Sequence, residues 1–449
     1  MFLLSVGIIF SQNKKIIYGF AELPQTLLLN PGAETNYKFH AGVPLLSGFS
    51  TEFGSSGFVL SDLFLNDGRA INDKVSEVLK TLDDRDFLKF NSQIEVLNGG
   101  YRLNSRTYLS FGFYGEFDAI TYFPRDVVTL LNEGNAAYLN RSFNFSQLLY
   151  KIDAIGVLHV GLTRKINKKL TLGGRFKIYS SSLNMETSGN SGTFTTVNGN
   201  NNIYTHYLNN IDINLKTSGL VGPDDEFIDD PSTYIRNSFF GGNLGLGIDV
   251  GFTYKISDQL ELTGSILDLG FINHKKNIKN TFANGNFIFN GIEFLYDPSN
   301  PDYWADLDTA LKDQLPTGEN QNSYISWRPA KLNAAIKYSF GEKRSKYCYD
   351  DTYKDFYKNA IGIQLNSVFR PLSPQLELTG FYQKSFTNKF HTKVTYTIDD
   401  YSFYNIGAGF SAQLWKINFY GMVDNILQFK DISSANGISL QLGVNLIFN

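Results

Sequence analysis

The sequence predicts an all-β chain: a transmembrane, antiparallel outer-membrane β-barrel of roughly 14 strands, with long outer loops and short periplasmic turns. Three observations carry this. Apolar and polar residues alternate strictly over many stretches of about ten residues, the period of a strand with one face in each environment. The alternating stretches come in pairs joined by tight polar turns. The last stretch runs to the chain end, with Leu440, Leu442, Val444, Leu446 and Phe448 against Gln441, Gly443 and Asn445. A terminal strand of this kind is what a barrel needs to close on its first strand and leave no edge.

Composition agrees. Of the 449 residues, 15% are aromatic, with 38 Phe and 26 Tyr, and only 18% are charged. The net charge of −3 argues against a nucleic-acid partner, which would need basic patches. A single cysteine, Cys348, excludes an intramolecular disulfide and a cysteine-based zinc site. No stretch of 18 or more apolar residues exists for a transmembrane helix, but a barrel strand needs only about 9–11 alternating residues.

Met1 to Gln12 (MFLLSVGIIFSQ) has the apolar run and small-residue end of a partial signal peptide, without a basic leader. Residues 13–36 contain apolar residues without alternation and a turn at Asn30, Pro31 and Gly32. They are read as a plug or hatch-like segment ahead of the barrel, which takes residues 37–449. Tyr37 to Val43 and Leu46 to Gly54 are expected to form a hairpin around Pro44. Asp73 to Leu82 and Pro124 to Glu133 space their apolar residues as short amphipathic helices. Thr107 to Phe117 is a strand, and Tyr150 to Lys165 and Leu170 to Tyr179 are paired strands.

The clearest stretch is Leu244 to Phe271. Leu244, Leu246, Ile248, Val250, Phe252 and Tyr254 share one face, and Gly245, Gly247, Asp249, Gly251 and Thr253 the other. After the turn at Ser257-Asp258 the alternation resumes, then blurs beyond Gly264, where Leu267, Leu269 and Phe271 take the former polar face. A bulge or the end of the membrane span explains that shift. Two insertions, 181–239 and 273–326, interrupt the strands. The first holds at least one more strand, near Tyr204 to Thr217, and the second a helical piece at Ala305 to Leu315. Strands at Leu332–Phe340, Ile361–Phe369, Tyr404–Ala412 and Trp415–Val423 complete the set. The tight turns at Asn167, Ser257-Asp258 and Ser373 are placed at the periplasmic end, opposite the long loops.

The sequence holds no recognisable catalytic, metal or cofactor motif. His40, His159, His206, His274 and His391 are scattered, and the acidic run from Asp224 to Asp230 lacks the spacing of a calcium loop. The polar strand faces carry both signs: Asp153, Arg175, Lys177, Asp249, Lys255 and Lys337 are the lumen-facing candidates. Mixed charge suits a filled or weakly selective interior better than a pore selective for one sign.

Several pieces resemble a family of uncharacterised Bacteroidota outer-membrane barrels: YGFAELPQTLLLNPG, PRDVVTLLNEGN, LGLGIDVGFTYKIS followed by LELTGSILDLG, and YISWRPAKLNAAIKYSF. The early Asn-Pro-Gly is also similar to an Asn-Pro-Ala in two better-known groups. These are the PorP/SprF proteins of type IX secretion and the FadL-like barrels, where that segment belongs to an N-terminal hatch; Gly32 stands here in place of Ala. The resemblance implies a non-catalytic protein of the cell outer membrane, surrounded by lipid and partnered by other envelope proteins. It implies a subunit of a cell-envelope assembly, plausibly one linked to secretion or surface-protein handling. The alternative is a FadL-like channel for a hydrophobic or small solute, with Asn30, Pro31 and Gly32 in the hatch.

Overall fold

The computed structural model describes residues 14–20, 23–187, 189–200, 204–222, 226–289, 317–342, 357–399 and 402–448. The expected signal peptide, the helical piece at Ala305 to Leu315 and Cys348 lie outside these residues. The chain first runs through the interior as a short 3-10 turn and α1 (Thr26–Leu29). It then enters the wall with β1 (Phe39–Gly42) and β2 (Phe49–Ser55). After α2 (Leu60–Phe64) and α3 (Ile71–Thr81) come β3 (Phe87–Asn104) and β4 (Thr107–Tyr122). Then follow α4 (Arg125–Glu133), the short β5 (Ser142–Asn144), β6 (Tyr150–Lys165) and β7 (Leu170–Glu186). Next are β8 (Ser191–Asn198), β9 (Tyr204–Ser218), α5 (Pro231–Asn237), β10 (Asn243–Lys255) and β11 (Leu260–His274). After these come β12 (Asn280–Phe289), β13 (Thr317–Asn320), β14 (Tyr324–Trp327) and β15 (Lys331–Glu342). The chain finishes with β16 (Tyr357–Phe369), β17 (Pro374–Ser385), β18 (Phe390–Asp399), β19 (Asn405–Leu414), β20 (Ile417–Asp424) and β21 (Gly437–Phe448).

Every wall strand pairs antiparallel with its neighbours, and β21 returns to pair with β1 and β2. Counting β1 with β2, and β14 with β15, as single interrupted staves gives a closed antiparallel barrel of 14 staves. Closure matters because backbone N–H and C=O groups have no water to bond to in a hydrocarbon layer. The alternation then sorts side chains by environment. On β10, Leu244, Leu246, Ile248 and Val250 are between 41% and 51% exposed on the outside, while Asp249 between them is 0% exposed. Similar apolar residues ring the wall, including Val160, Leu162, Phe176, Ile363, Leu378 and Val394. An apolar belt of that extent is untenable in water and marks a lipid-facing wall. Aromatic residues flank it at both ends: Trp327, Phe403 and Tyr404 at one, Tyr254, Tyr338 and Trp415 at the other.

Two interruptions shape the wall. Residues Tyr37 to Val43 and Leu46 to Gly54 do not form a hairpin: β1 and β2 run in the same direction and share both neighbours, β3 and β21. Pro44 cannot donate to a ladder, so the chain swings out of the wall and returns. Leu45 turns to a positive φ of 63° and, with Leu46, faces outward. The second interruption is a bulge between β10 and β11, where Ile248 pairs with Leu269 but Val250 pairs with Ile266. Asp268 adopts a φ of 58° there, and its N–H donates to the Asp249 carboxylate at 2.7 Å. Both Leu267 and Asp268 therefore point inward, which is the physical reason for the blurred alternation after Gly264.

The two barrel ends differ. Residues 56–86, 123–149, 187–242 and 275–323 all connect staves at one end, which we call the long-loop end. Residues 105–106, 166–169 and 256–259 connect staves at the opposite, short-turn end. Strand direction puts the Ser373 turn at the long-loop end, not with Asn167 and Ser257-Asp258; the connection 343–356 falls at the short-turn end. The expected strand near Tyr204 is β9, and it belongs to a second sheet rather than the wall. That sheet runs β5–β8–β9–β12–β13 and draws its strands from the long connections. It grows from the rim of the barrel where Asn184 to Glu186 of β7 pair with Ser218 to Lys216 of β9.

Depth decides the cost of a charge on the lipid face. Ile248→Arg near mid-wall is expected to destabilise the barrel by about 2–4 kcal/mol, whereas Leu414→Arg near the rim costs about 0–1 kcal/mol. Denaturant titration of the protein refolded into lipid vesicles, followed by tryptophan fluorescence, measures both.

Candidate functional site

The site is the barrel interior, and it is built from the first described residues of the chain. Ile16, Ile17, Phe20 and Leu23 pack against Tyr420 and Met422 of β20 in a fully buried cluster. Farther along, Leu27, Ala33 and Tyr37 pack against Tyr108 and Ile447 toward the short-turn end. Lys15 forms an ion pair with Asp424 at 2.8 Å, both side chains fully buried. The turn of Asn30, Pro31 and Gly32 nests on glycines of the wall: a Cβ on Gly173 would lie 1.9 Å from the Pro31 carbonyl oxygen, and one on Gly251 2.2 Å from the Asn30 side chain. These wall glycines allow the backbones to meet.

The wall holds this segment mainly by its backbone. Gln364 donates to the carbonyl of Lys15 at 2.9 Å, and Lys393 to that of Tyr18 at 2.7 Å. Arg175 donates to Leu28 at 3.2 Å and also to Leu27; Ser265 donates to Leu29 at 2.5 Å. Thr163 donates to Pro31 at 2.6 Å and Arg102 to Thr35 at 2.6 Å. In the other direction, Asn30 donates to the Phe252 carbonyl at 3.1 Å. Gln25 reaches Glu95 at 3.2 Å, Asn445 at 3.1 Å and the Ser47 carbonyl exposed by the break in the first stave at 2.9 Å. At the short-turn end Glu34 meets Lys255 at 2.6 Å and Lys165 at 3.7 Å. Burial alone would raise the Glu34 pKa, but the two ammonium groups outweigh it and hold the carboxyl below its usual range.

Beside this segment the lumen is bridged by an ionic lattice. Arg175 meets Asp249 at 3.1 Å, and Lys177 meets Asp249 at 2.9 Å and Asp268 at 2.6 Å. Arg328 bridges Glu116 at 2.9 Å and Asp153 at 3.3 Å. Lys331 lies 3.1 Å from Asp268, and Arg370 forks onto Asp118 at 2.5 and 2.9 Å. Carboxylates and cations match within this group, so the charges balance where solvent is scarce. Cavities among the described residues include one of about 60 Å³ beside Lys14, Asp268 and Lys331 and one of about 370 Å³ at the short-turn mouth.

The six lumen candidates divide between these zones. Asp153, Arg175, Lys177 and Asp249 sit in the lattice, and Lys255 and Lys337 line the mouth, Lys337 pairing with Glu261 at 2.9 Å. The sequence reading assigned no role to Arg328, Asp268, Arg370, Lys15 or Asp424. Two of them had a visible signal: Arg328 precedes Pro329, which ends β14, and Asp268 stands where the alternation fails. Lys15 and Asp424 are far apart in sequence and had none. Among the described residues no three His, Cys, Asp or Glu side chains converge on a metal position.

A family model described as a family of unknown function, DUF5723, matches residues 31–424. The chain belongs to this DUF5723 family. No curated protein matches it in sequence. Among solved structures, the chain is similar to the toluene transporter TbuX of Ralstonia pickettii, with 10% identity, 98% of each chain covered and a TM-score of 0.42. A FadL homologue of Pseudomonas aeruginosa shares 10% identity over 98% of this chain and 99% of its own, with a TM-score of 0.43. The translocator domain of the Neisseria meningitidis autotransporter NalP shares 9% identity over 92% and 88%, with a TM-score of 0.32. The barrel of this DUF5723 member is established by the pairing of β21 with β1 and β2, not by these likenesses.

The Lys15–Asp424 pair gives a direct test of how the inner segment is held. Lys15→Met leaves a buried carboxylate without its ammonium, a change that typically costs about 3–5 kcal/mol. Backbone amides of residues 14–20 are expected to lose hydrogen-exchange protection in this variant. The Lys15→Met/Asp424→Leu pair is expected to recover most of it.

Proposed function

We propose that this DUF5723 protein is a non-catalytic, outer-membrane channel for a small polar solute, with residues 14–37 as its gate. The observation that carries this reading is the placement of that segment: it fills the lumen of a closed barrel and is fastened by side-chain hydrogen bonds rather than by strand pairing. Such bonds are worth about 0.5–1.5 kcal/mol each. Expelling the whole segment breaks many of them and the Lys15–Asp424 pair together. Movement of residues 30–37 alone leaves the Lys15–Asp424 pair and the bonds to Lys15, Tyr18, Gln25 and Leu27 to Leu29 in place and opens the end of the segment next to the mouth. The gate therefore works by local rearrangement next to the short-turn end. A polar solute fits better than a hydrophobic one, because the lattice of Glu116, Asp153, Asp249 and Asp268 with its cations lies along the lumen. An apolar solute passing there would offer no hydrogen bond to charged groups that a polar solute can engage.

Planar-bilayer recording tests the gate. Deletion of residues 14–36 is expected to raise single-channel conductance at least several-fold over the full chain, and Glu34→Gln, which releases Lys255 and Lys165, to raise the frequency of opening. Equal conductance with and without the segment rejects the channel reading.

A second reading rests on a different feature. The sheet β5–β8–β9–β12–β13 projects beyond the wall and leaves Phe282 and Ile288 exposed. It supports a role as a subunit of a cell-envelope assembly that docks through this ledge. Mild-detergent purification from native membranes is expected, on this reading, to bring down stoichiometric envelope proteins that are lost when residues 280–320 are replaced by a short linker.

A further inference from the structure

The cavity of about 370 Å³ at the short-turn mouth has a composition unlike the rest of the lumen. The lattice beside it is balanced, but the mouth is not. Arg102, Arg106, Lys165, Lys255 and Lys337 line it against Glu34, Asp258 and Glu261. Glu34 is already engaged by Lys255 and Lys165, and Glu261 by Lys337. Arg102 is spent on Thr35 and the Tyr37 carbonyl. The Arg106 guanidinium, in the turn between β3 and β4, makes no side-chain hydrogen bond or ion pair among the described residues. A second observation points the same way. Thr253 lines the cavity from β10, and its hydroxyl, open to that space, makes no side-chain hydrogen bond among the described residues. Its register partners on the neighbouring staves are used: Thr171 donates to Glu34 and Thr263 accepts from the Tyr18 hydroxyl.

We propose that this cavity is a binding site for a small organic anion carrying carboxylate or phosphate oxygens. Arg106 meets the anionic oxygens, and Thr253 meets a polar group toward the opposite side. Since a water-sized unit occupies about 30 Å³, the space holds on the order of a dozen non-hydrogen atoms. This takes the channel reading one step further by naming the solute class. The binding itself depends only on the mouth.

The test is isothermal titration calorimetry on the full chain in detergent at low salt. The probes are inorganic phosphate, succinate and glucose 6-phosphate, with glucose as the neutral control. At least one anionic probe is expected to bind saturably, more weakly as salt is raised, and glucose is not. The phosphate and succinate arms distinguish the two oxyanion chemistries. Arg106→Glu, in an exposed turn, is expected to weaken binding about tenfold or more, and Thr253→Val several-fold. Silence from every anion, or binding unchanged in Arg106→Glu, overturns the site. Flux of the bound probe into liposomes is measured separately. Binding without flux rejects the channel and leaves the site standing; flux without saturable binding rejects the site.

Discussion

The structure depends on one constraint: a barrel wall in lipid has to satisfy all of its own backbone hydrogen bonds, so it must close. Once it closes, the alternation of side chains forces half of every stave inward. Apolar residues such as Leu246 and Ile248 go to lipid, and Asp249 has nowhere to go but the lumen. The interior thus collects charge, and in a space with little water each charge needs a partner. The lattice around Arg328 and Asp268 is one answer, and the inner N-terminal segment is the other. Its carbonyls accept the hydrogen bonds that Arg175, Lys393, Gln364 and Ser265 would otherwise leave unmade.

The strands were legible because period-two alternation is a local signal. It located the hairpins at Asn167 and Ser257-Asp258, the last stave and the amphipathic pieces that became α3 and α4. Even the break after Gly264 was visible, because a bulge shifts the pattern of every residue beyond it. Three features were not legible. Pro44 reads as a hairpin turn, since sequence alone does not tell a chain that reverses from one that swings out and continues. The side of the Ser373 turn depends on the count of all preceding staves. The ledge sheet has weak alternation because both of its faces are partly exposed.

Within the site, residue type and face were legible but pairing was not. Asp153, Arg175, Lys177 and Asp249 could be placed on the polar face from their own strands. That Arg328 reaches both Glu116 and Asp153, or that Lys15 finds Asp424, follows from the circumference of the barrel and the path of the inner segment. Neither is written in any one stretch. The use of main-chain carbonyls as acceptors further hides the site, because it places few demands on the side chains of residues 14–37 beyond the close-packed turn at Pro31 and Gly32.

The seam between the first and last staves has a consequence for how the molecule is made. β21 meets the first stave in two short ladders, Phe39–Gly42 and Phe49–Gly54, separated by the excursion at Pro44, whereas β4 and β6 pair without a break from Thr107 to Thr121. The seam joins residues nearly a whole chain apart, so it carries the largest loop-closure cost in the wall. An intermediate with all other hairpins formed is then an open, curved sheet whose two free edges meet only through interrupted ladders. The inner segment already lies against β20 and β21 on one side and β3 on the other through Ile16, Gln25 and Tyr37. It is placed to act as a template that brings those two edges together before they zip.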